Sequence, residues 1–291
     1  MTSLPTFSIV VPTYRRPKHL AACLEALAAL DYPRDRFEVV VVHDGHDAEP
    51  PPAMAETGGR IELTVLAQAH AGPASARNTG AARARGDYLA FTDDDCMPDA
   101  GWLRALAARI VEAPSAAIGG RTVNALSDNP YSTATQLLAD FLSEWEATNR
   151  GAAFFASNNL AVPAELFRAR GGFHGGFPLA AGEDREFCRR WASAGGSLTS
   201  APAAVVRHAH PLTLRTFWRQ HFTYGRGALH FHRLGARSGP TRPAPTPLSF
   251  YLSLVAAPLA RPDVRRKVSL TALLALSQAA TVAGYWRERL R

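Results

Sequence analysis

Two apolar runs near the start of the chain, Phe7–Val11 (FSIVV) and Phe37–Val42 (FEVVVV), are rich in β-branched residues and have the length of strands. Their apolar residues follow one another too closely for one face to lie in water, which predicts strands covered on both sides. Between them, PKHLAACLEALAAL (Pro17–Leu30) places leucines at 20, 24, 27 and 30, the spacing of one helical stripe. A strand, helix and strand in succession predict parallel pairing with a right-handed crossover. The pattern continues with a strand at Ile61–Leu66, a helix over Ala74–Arg85 after the Gly72-Pro73 break, a strand at Tyr88–Thr92 and a helix at Trp102–Val111. This alternation predicts an α/β chain with an open, mostly parallel sheet flanked by helices.

Ligands of such sheets sit beyond the carboxyl ends of the strands. Three strands run into polar or turn-forming residues there: Pro12-Thr13-Tyr14-Arg15, His43-Asp44-Gly45, and the acidic triplet Asp93-Asp94-Asp95. Neighbouring carboxylates disfavour one another's ionisation, so a crowd of them calls for a cation, and a divalent metal carrying a nucleotide diphosphate is the economical one. A dinucleotide-binding turn is excluded because VPTYRRP has two prolines and no glycine, and there is no GxxxxGK[ST] phosphate loop.

Composition narrows the class. The 291 residues are 47% hydrophobic and 20% charged, enough apolar material for a sizeable core. Cys23, Cys96 and Cys188 are far apart and odd in number, which predicts neither a disulfide framework nor a zinc site and suits a reducing compartment. The start, MTSLPTFSIVVPTYRRP, lacks the basic segment and long apolar core of a cleaved signal peptide. The net charge of +7 is uneven: Arg207–Arg291 holds fourteen Arg or Lys against Asp263 and Glu288, while the rest is net acidic. A basic tail on an acidic front implies a polyanionic partner. The basic residues accompany apolar stretches and no aromatic stacking platform, so nucleic acid is not expected.

Four blocks in order, SIVVPTYRRPKHLAACLEAL, VVVVHDG, GPASARNTGAARARGDYLAFTDDDCMPD and AGEDREFCRRW, resemble the inverting family 2 glycosyltransferases of the GT-A fold, from about Ser8 to His210. The resemblance implies a metal-dependent enzyme that moves one sugar from a UDP-, GDP- or dTDP-sugar to a hydroxyl of a saccharide or lipid-linked acceptor. It implies Asp93 at the ribose, Asp95 on Mg²⁺ or Mn²⁺, and Asp94 pointing away. Asp44 matches the family's base-reading carboxylate, with His43 in place of the usual first Asp, and its other reading is an Asx-turn before Gly45. Pro12 and Tyr14 would line the same pocket, and Arg77 would face the nucleotide. Asp184 matches the family's general base and Glu183 its acceptor-side neighbour, although an acidic pair also suits a helix start. His208 would complete the metal shell, with His210 as the substitute; Trp145 and Asn158 are acceptor-side candidates. QHFTYGR at 220–226 stands where processive members carry QxxRW, which favours single-sugar transfer. A nucleotidyltransferase would need a basic Gly-rich loop after the first strand, and none is present.

The expected organisation is a catalytic domain over 1–238, with a nucleotide-binding half to about 120 and an acceptor-side half from 121. A Pro-rich linker and a basic, apolar helical extension follow over 239–291. Val268–Trp286 runs without a charge, yet Ser269, Thr271, Ser277, Gln278 and Thr281 dilute it. One expectation is helices lying at an anionic membrane surface, with Tyr285 and Trp286 as interfacial anchors, at the cytoplasmic face of the plasma membrane. The other is a helical hairpin packed on the protein or forming a homodimer. An inactive, membrane-docked binding or scaffold protein of the same fold is the alternative function.

Overall fold

The computed structural model describes residues 4–45, 59–150, 154–177, 181–237, 247–261 and 265–291. The expected Pro-rich linker lies almost wholly outside the described residues. The chain divides into two compact units: Met1–Val123 with Ala153–Pro178 and Asp184–Ala209, and Asn124–Ala152 with Leu179–Glu183 and His210–Arg291.

The first unit is built on an eight-stranded sheet in the order β3-β2-β1-β4-β7-β6-β8-β5. The strands are β1 (Phe7–Thr13), β2 (Phe37–Asp44), β3 (Leu63–Gln68), β4 (Tyr88–Phe91), β5 (Cys96–Pro98), β6 (Ala117–Asn124), β7 (Leu160–Pro163) and β8 (Leu198–His208). Strands β3, β2, β1 and β4 pair in parallel, whereas β4–β7, β6–β7 and β5–β8 pair antiparallel. The sheet is thus of the mixed GT-A type.

The continuous apolar runs are explained by two covered faces. Phe7, Ile9, Val11, Val39 and Val41 join one core with Leu20, Leu24 and Leu27 of α1 (Pro17–Ala28) and with Trp102, Leu103 and Leu106 of α3 (Trp102–Glu112). Val10 faces the other side, with Ala74 and Ala81 of α2 (Pro73–Arg83), Phe167 of α5 (Ala164–Ala169) and Phe187 and Trp191 of α6 (Glu183–Ser193). Each large side chain so buried contributes about 1.5–3 kcal/mol. Gly80 lets α2 lie directly on the sheet, since a Cβ there would come within 2.5 Å of Val10.

The third strand lies two residues beyond the expected Ile61–Leu66. It pairs with β2 alone at the end of the sheet, so its side chains alternate between half-buried and exposed, while Ile61 is buried in the core before it. The short strands β5 and β7, and β6 with its two central glycines, carry no apolar run long enough to announce them.

The second unit is helical: α4 (Pro130–Arg150), α7 (Leu214–Arg237), α8 (Leu248–Ala260) and α9 (Lys267–Arg289). Asn129 caps α4, its Oδ1 accepting from the backbone of Tyr131 and Ser132 at 3.0 Å each. Leu137, Phe217 and Leu270 form one small core, and Leu138, Phe250, Leu254 and Leu274 another. Helices α7 and α9 cross at contact distance of their backbones: a Cβ on Gly225 would collide with the carbonyl of Thr281, and one on Gly284 with that of Phe222.

Along α9 the buried stripe is Leu270, Leu274, Ser277, Ala280 and Gly284, and the exposed stripe includes Val268, Ala272, Ala275, Ala279, Val282 and Trp286. The helix is 23 residues long with mean hydropathy 1.4 in its most apolar window, long and apolar enough to cross a membrane by length and composition. Helix α8 has no charged residue, and Leu248, Leu252 and Leu259 on it are exposed.

Candidate active site

Strands β1, β2 and β4 end side by side. Register pairs Thr13 with His43 and Val10 with Phe91, so the segment leaving β4 passes the end of β1. There each of the three carboxylates has a partner. Arg77, from the middle of α2, donates from Nη2 to Asp93 Oδ1 at 2.6 Å. Thr13 Oγ1 donates to Asp94 Oδ2 at 2.7 Å. The Arg16 Nη1 group lies 3.3 Å from Asp94 Oδ1 and 2.9 Å from Asp95 Oδ2.

Asp94 therefore does not point away, contrary to expectation. It is buried, and its carboxyl is pushed up to about 6, chiefly by that burial, with Thr13 and Arg16 opposing and Asp95 and Asp93 adding to the rise.

The next residue, Cys96, pairs with His208 across the antiparallel β5–β8 ladder. This brings His208 Nε2 to 3.3 Å from Asp95 Oδ1, and Ala209 N donates to the Asp95 carbonyl at 2.8 Å. Burial disfavours the charged His208 ring, but Asp95 and Asp93 outweigh it and raise the imidazole above its usual value. Ligand atoms of Asp95, Cys96 and His208 all lie within 4.8 Å of one another. Burial pushes the Cys96 thiol far up, so it stays protonated, and the usable donors are a carboxylate and an imidazole. That pair fits a divalent cation, and manganese accepts an imidazole more readily than magnesium does.

Arg77 connects this cluster to α6. Its charge acts on Asp184, the second residue of that helix, as well as on Asp93. Dense surroundings raise the Asp184 carboxyl, against the charge and backbone N–H of Arg185 and the charge of Arg77. Phe173 fixes both ends of this arrangement: the Arg77 guanidinium lies 5.6 Å from its ring centre, and Asn78 both donates to its carbonyl at 2.7 Å and accepts from its N–H at 2.9 Å.

Asp44 ends β2, buried and saturated. Its carboxylate accepts from Ala71 N, Gly72 N and Gln68 Nε2, each at 2.8 Å, with His70 Nδ1 at 2.9 Å. Burial pushes its pKa up, but these donors and the His70 charge outweigh it and hold it low. It clamps the turn between β3 and α2. Pro12 lies buried in β1, and Tyr14 is exposed, stacked on His70 with ring centres 4.3 Å apart. His43 is buried, its Nε2 has no hydrogen-bond partner, and burial lowers its pKa.

The acceptor-side candidates stand on three different elements. Asn158 accepts from Thr122 Oγ1 at 3.1 Å in the first unit. Trp145, in the helical unit, packs edge-on against Phe250 with ring centres 5.0 Å apart. Glu183 is buried at the first position of α6. His210 belongs to the helical unit, where its carbonyl accepts from Ser132 Oγ at 2.5 Å. Sequence reading missed Arg16, Thr13, Gln68 and His70. Two of them had a visible signal: Thr13 among the polar residues ending the first strand, and Arg16 in the Arg15-Arg16 pair after it.

Residues 8–171 match the profile of "Glycosyl transferase family 2". The chain is 30% identical over 227 residues to a pre-mycofactocin glycosyltransferase of Mycobacterium tuberculosis, covering 76% of this chain and 46% of that one. It is 28% identical over 237 residues to the glycosyltransferase AglE of Haloferax volcanii, covering 79% and 75%. The chain thus spans about half the length of the mycobacterial relative. Among solved structures, the mannosyltransferase PcManGT of Pyrobaculum calidifontis, in complex with GDP-Man and Mn²⁺, superposes with a TM-score of 0.67 at 22% identity, over 99% of this chain and 89% of that one. Staphylococcus aureus TarS 1–349 in complex with UDP-GlcNAc gives 0.55 at 17% identity, covering 96% and 89%.

Proposed function

Because the chain belongs to glycosyl transferase family 2, we propose that it transfers one sugar, with inversion, from a nucleotide-sugar to a hydroxyl of a saccharide or lipid-linked acceptor, assisted by a divalent metal. The observation that supports this reading is the contact of Arg77 with Asp93 beside that of Asp95 with His208, with the charge of Arg77 also acting on Asp184 of α6.

In this reading Asp184 is the general base. As the acceptor oxygen forms its bond to the anomeric carbon, the bond from that carbon to the diphosphate oxygen breaks and the acceptor proton passes to the Asp184 carboxylate. A carboxyl raised by its surroundings is a better proton acceptor than a solvated one. The charges of Arg185 and Arg77 favour its ionised form, and Arg77 holds Asp93 for the ribose. Asp95 and His208 would hold the metal, which supplies charge compensation for the departing diphosphate. Pro12, Tyr14 and Asp44 would form the base side, with Asp44 acting through the turn it clamps. Glu183, Asn158 and Trp145 remain proposed acceptor-side residues.

The working location is an anionic membrane surface at the cytoplasmic face. The exposed apolar stripes of α8 and α9, with Arg265 and Arg266 before α9, Lys267 at its first position and Arg287, Arg289 and Arg291 about its end, support this. A homodimer through the same helices is the competing use of that surface.

Titration calorimetry with UDP, GDP or dTDP and Mn²⁺ tests the site, and binding of none of them removes the proposal. Asp184→Asn is expected to keep nucleotide binding and lose transfer by about 10²–10⁴-fold, whereas Asp95→Ala loses the metal-dependent part of binding. A wild-type protein that binds nucleotide but neither transfers nor hydrolyses a donor would be the inactive scaffold. Sedimentation with phosphatidylglycerol vesicles, against phosphatidylcholine vesicles and buffer, separates membrane docking from dimerisation.

A further inference from the structure

The cation that accompanies the acidic triplet in this structure belongs to the protein. Arg16 Nη1 spans Asp95 Oδ2 at 2.9 Å and Asp94 Oδ1 at 3.3 Å, and His208 Nε2 stands 3.3 Å from the other Asp95 oxygen. Both oxygens of the proposed metal carboxylate are therefore engaged. We propose, resting on the donor-site reading above, that Arg16 is a positioning residue that occupies Asp95 until a metal arrives together with a nucleoside diphosphate, and that it then moves to the diphosphate.

Three features support an exchange of partners at this place. The Arg16 side chain is 49% exposed while those of Asp94 and Asp95 are 5% and 8% exposed. The guanidinium thus reaches the carboxylates from the solvent side and can leave without disturbing packed side chains. Its backbone is held independently: Pro17 opens α1, Leu20 N donates to the Arg16 carbonyl at 3.0 Å, and Arg15 before it takes a left-handed φ of 54°. Finally, Asp94 keeps the Thr13 hydroxyl on Oδ2 when Arg16 departs, whereas Asp95 loses its Arg16 contact at Oδ2 and is the carboxylate next to His208.

Charge decides the order. A bare divalent ion at Asp95 would sit beside a displaced guanidinium left with Asp94 alone, at the longer of its two contacts. A metal-bound diphosphate brings the anion along, and guanidinium pairs with phosphate oxygens through two parallel hydrogen bonds. The free protein should bind metal poorly, and metal and nucleotide should strengthen one another's binding by the same factor.

The test is binding of Mn²⁺, followed by the electron paramagnetic resonance signal of the free ion, in wild type, Arg16→Gln and Arg16→Lys, each alone and with saturating UDP, GDP or dTDP. Arg16→Gln is expected to bind Mn²⁺ alone about tenfold more tightly than wild type, since a charge-assisted contact no longer competes, and to lose most of the gain on adding nucleotide. Arg16→Lys keeps the competing charge and should stay near wild type without nucleotide. Equal or weaker binding of Mn²⁺ alone by Arg16→Gln, in a protein whose circular dichroism matches wild type, overturns the inference even when nucleotide binding is intact. If wild type binds none of the three nucleotides with Mn²⁺, the donor-site reading itself fails and takes this inference with it.

Discussion

Arg77 donates to Asp93 at 2.6 Å, and the charge of the same guanidinium opposes the rise of the Asp184 carboxyl, so one buried cation acts on two carboxylates. Asp184 is raised by burial and restrained by Arg185 and Arg77. Replacing Arg77 with Gln removes one restraint. The acidic limb of the transfer rate against pH is then expected to move to higher pH, in addition to any loss of nucleotide affinity. A limb that stays in place would mean that Arg77 acts only on Asp93.

Asp44→Asn should loosen the turn between β3 and α2. The carboxylate accepts from two backbone N–H groups and the Gln68 amide, and an Asn side chain offers one acceptor oxygen and an amide that faces donors. A loss on the order of 2 kcal/mol is expected in urea unfolding, with faster hydrogen exchange at Ala71 and Gly72. Unchanged exchange there would return Asp44 to a role confined to the ligand.

His221 gives the helical unit an acid sensitivity. It is fully buried beside Phe217, and burial, aided by His210, lowers its pKa to about 4. The folded form holds the neutral ring, so its contribution is complete above the ordinary histidine value near 6.5 and is lost as pH falls towards 4. About 3 kcal/mol is at stake over that interval. His221→Gln should flatten unfolding free energy between pH 6.5 and 4, whatever its effect at neutral pH. An unaltered slope would assign the acid loss elsewhere.

The helix crossing at Gly225 and Gly284 leaves no room for a side chain. Gly284→Val is expected to cost about 3 kcal/mol or more through forced separation of α7 and α9. Ala279→Val, on the exposed side of α9, should stay within about 0.5 kcal/mol. Thermal unfolding of the two variants compares them directly.

What the sequence made legible follows from how much each element depends on its own residues. Strands β1 and β2 and helix α1 are written in local apolar patterns, and they stand where those patterns put them. The carboxylates Asp93, Asp95 and Asp184 were likewise visible as blocks. Partners were not. The hydrogen bond from Thr13 to Asp94 joins residues 81 positions apart, and the pairing of Cys96 with His208 depends on a three-residue strand with no periodic signal. Asp94 was misread because a charged side chain between two working ones is ordinarily solvated, whereas here Thr13 and Arg16 compensate its burial. From the sequence, Trp145 is an acceptor-side candidate with no partner assigned; its contact with Phe250 comes from a helix more than a hundred residues later.

The crossing of the last helix also bears on how this protein can be handled. Shortening the chain before Lys267 to improve its behaviour in solution would strip Leu270 and Leu274 from two small cores and bare Phe217, Leu137 and Phe250 to water. The trimmed product would turn these apolar side chains to solvent and would be prone to precipitate.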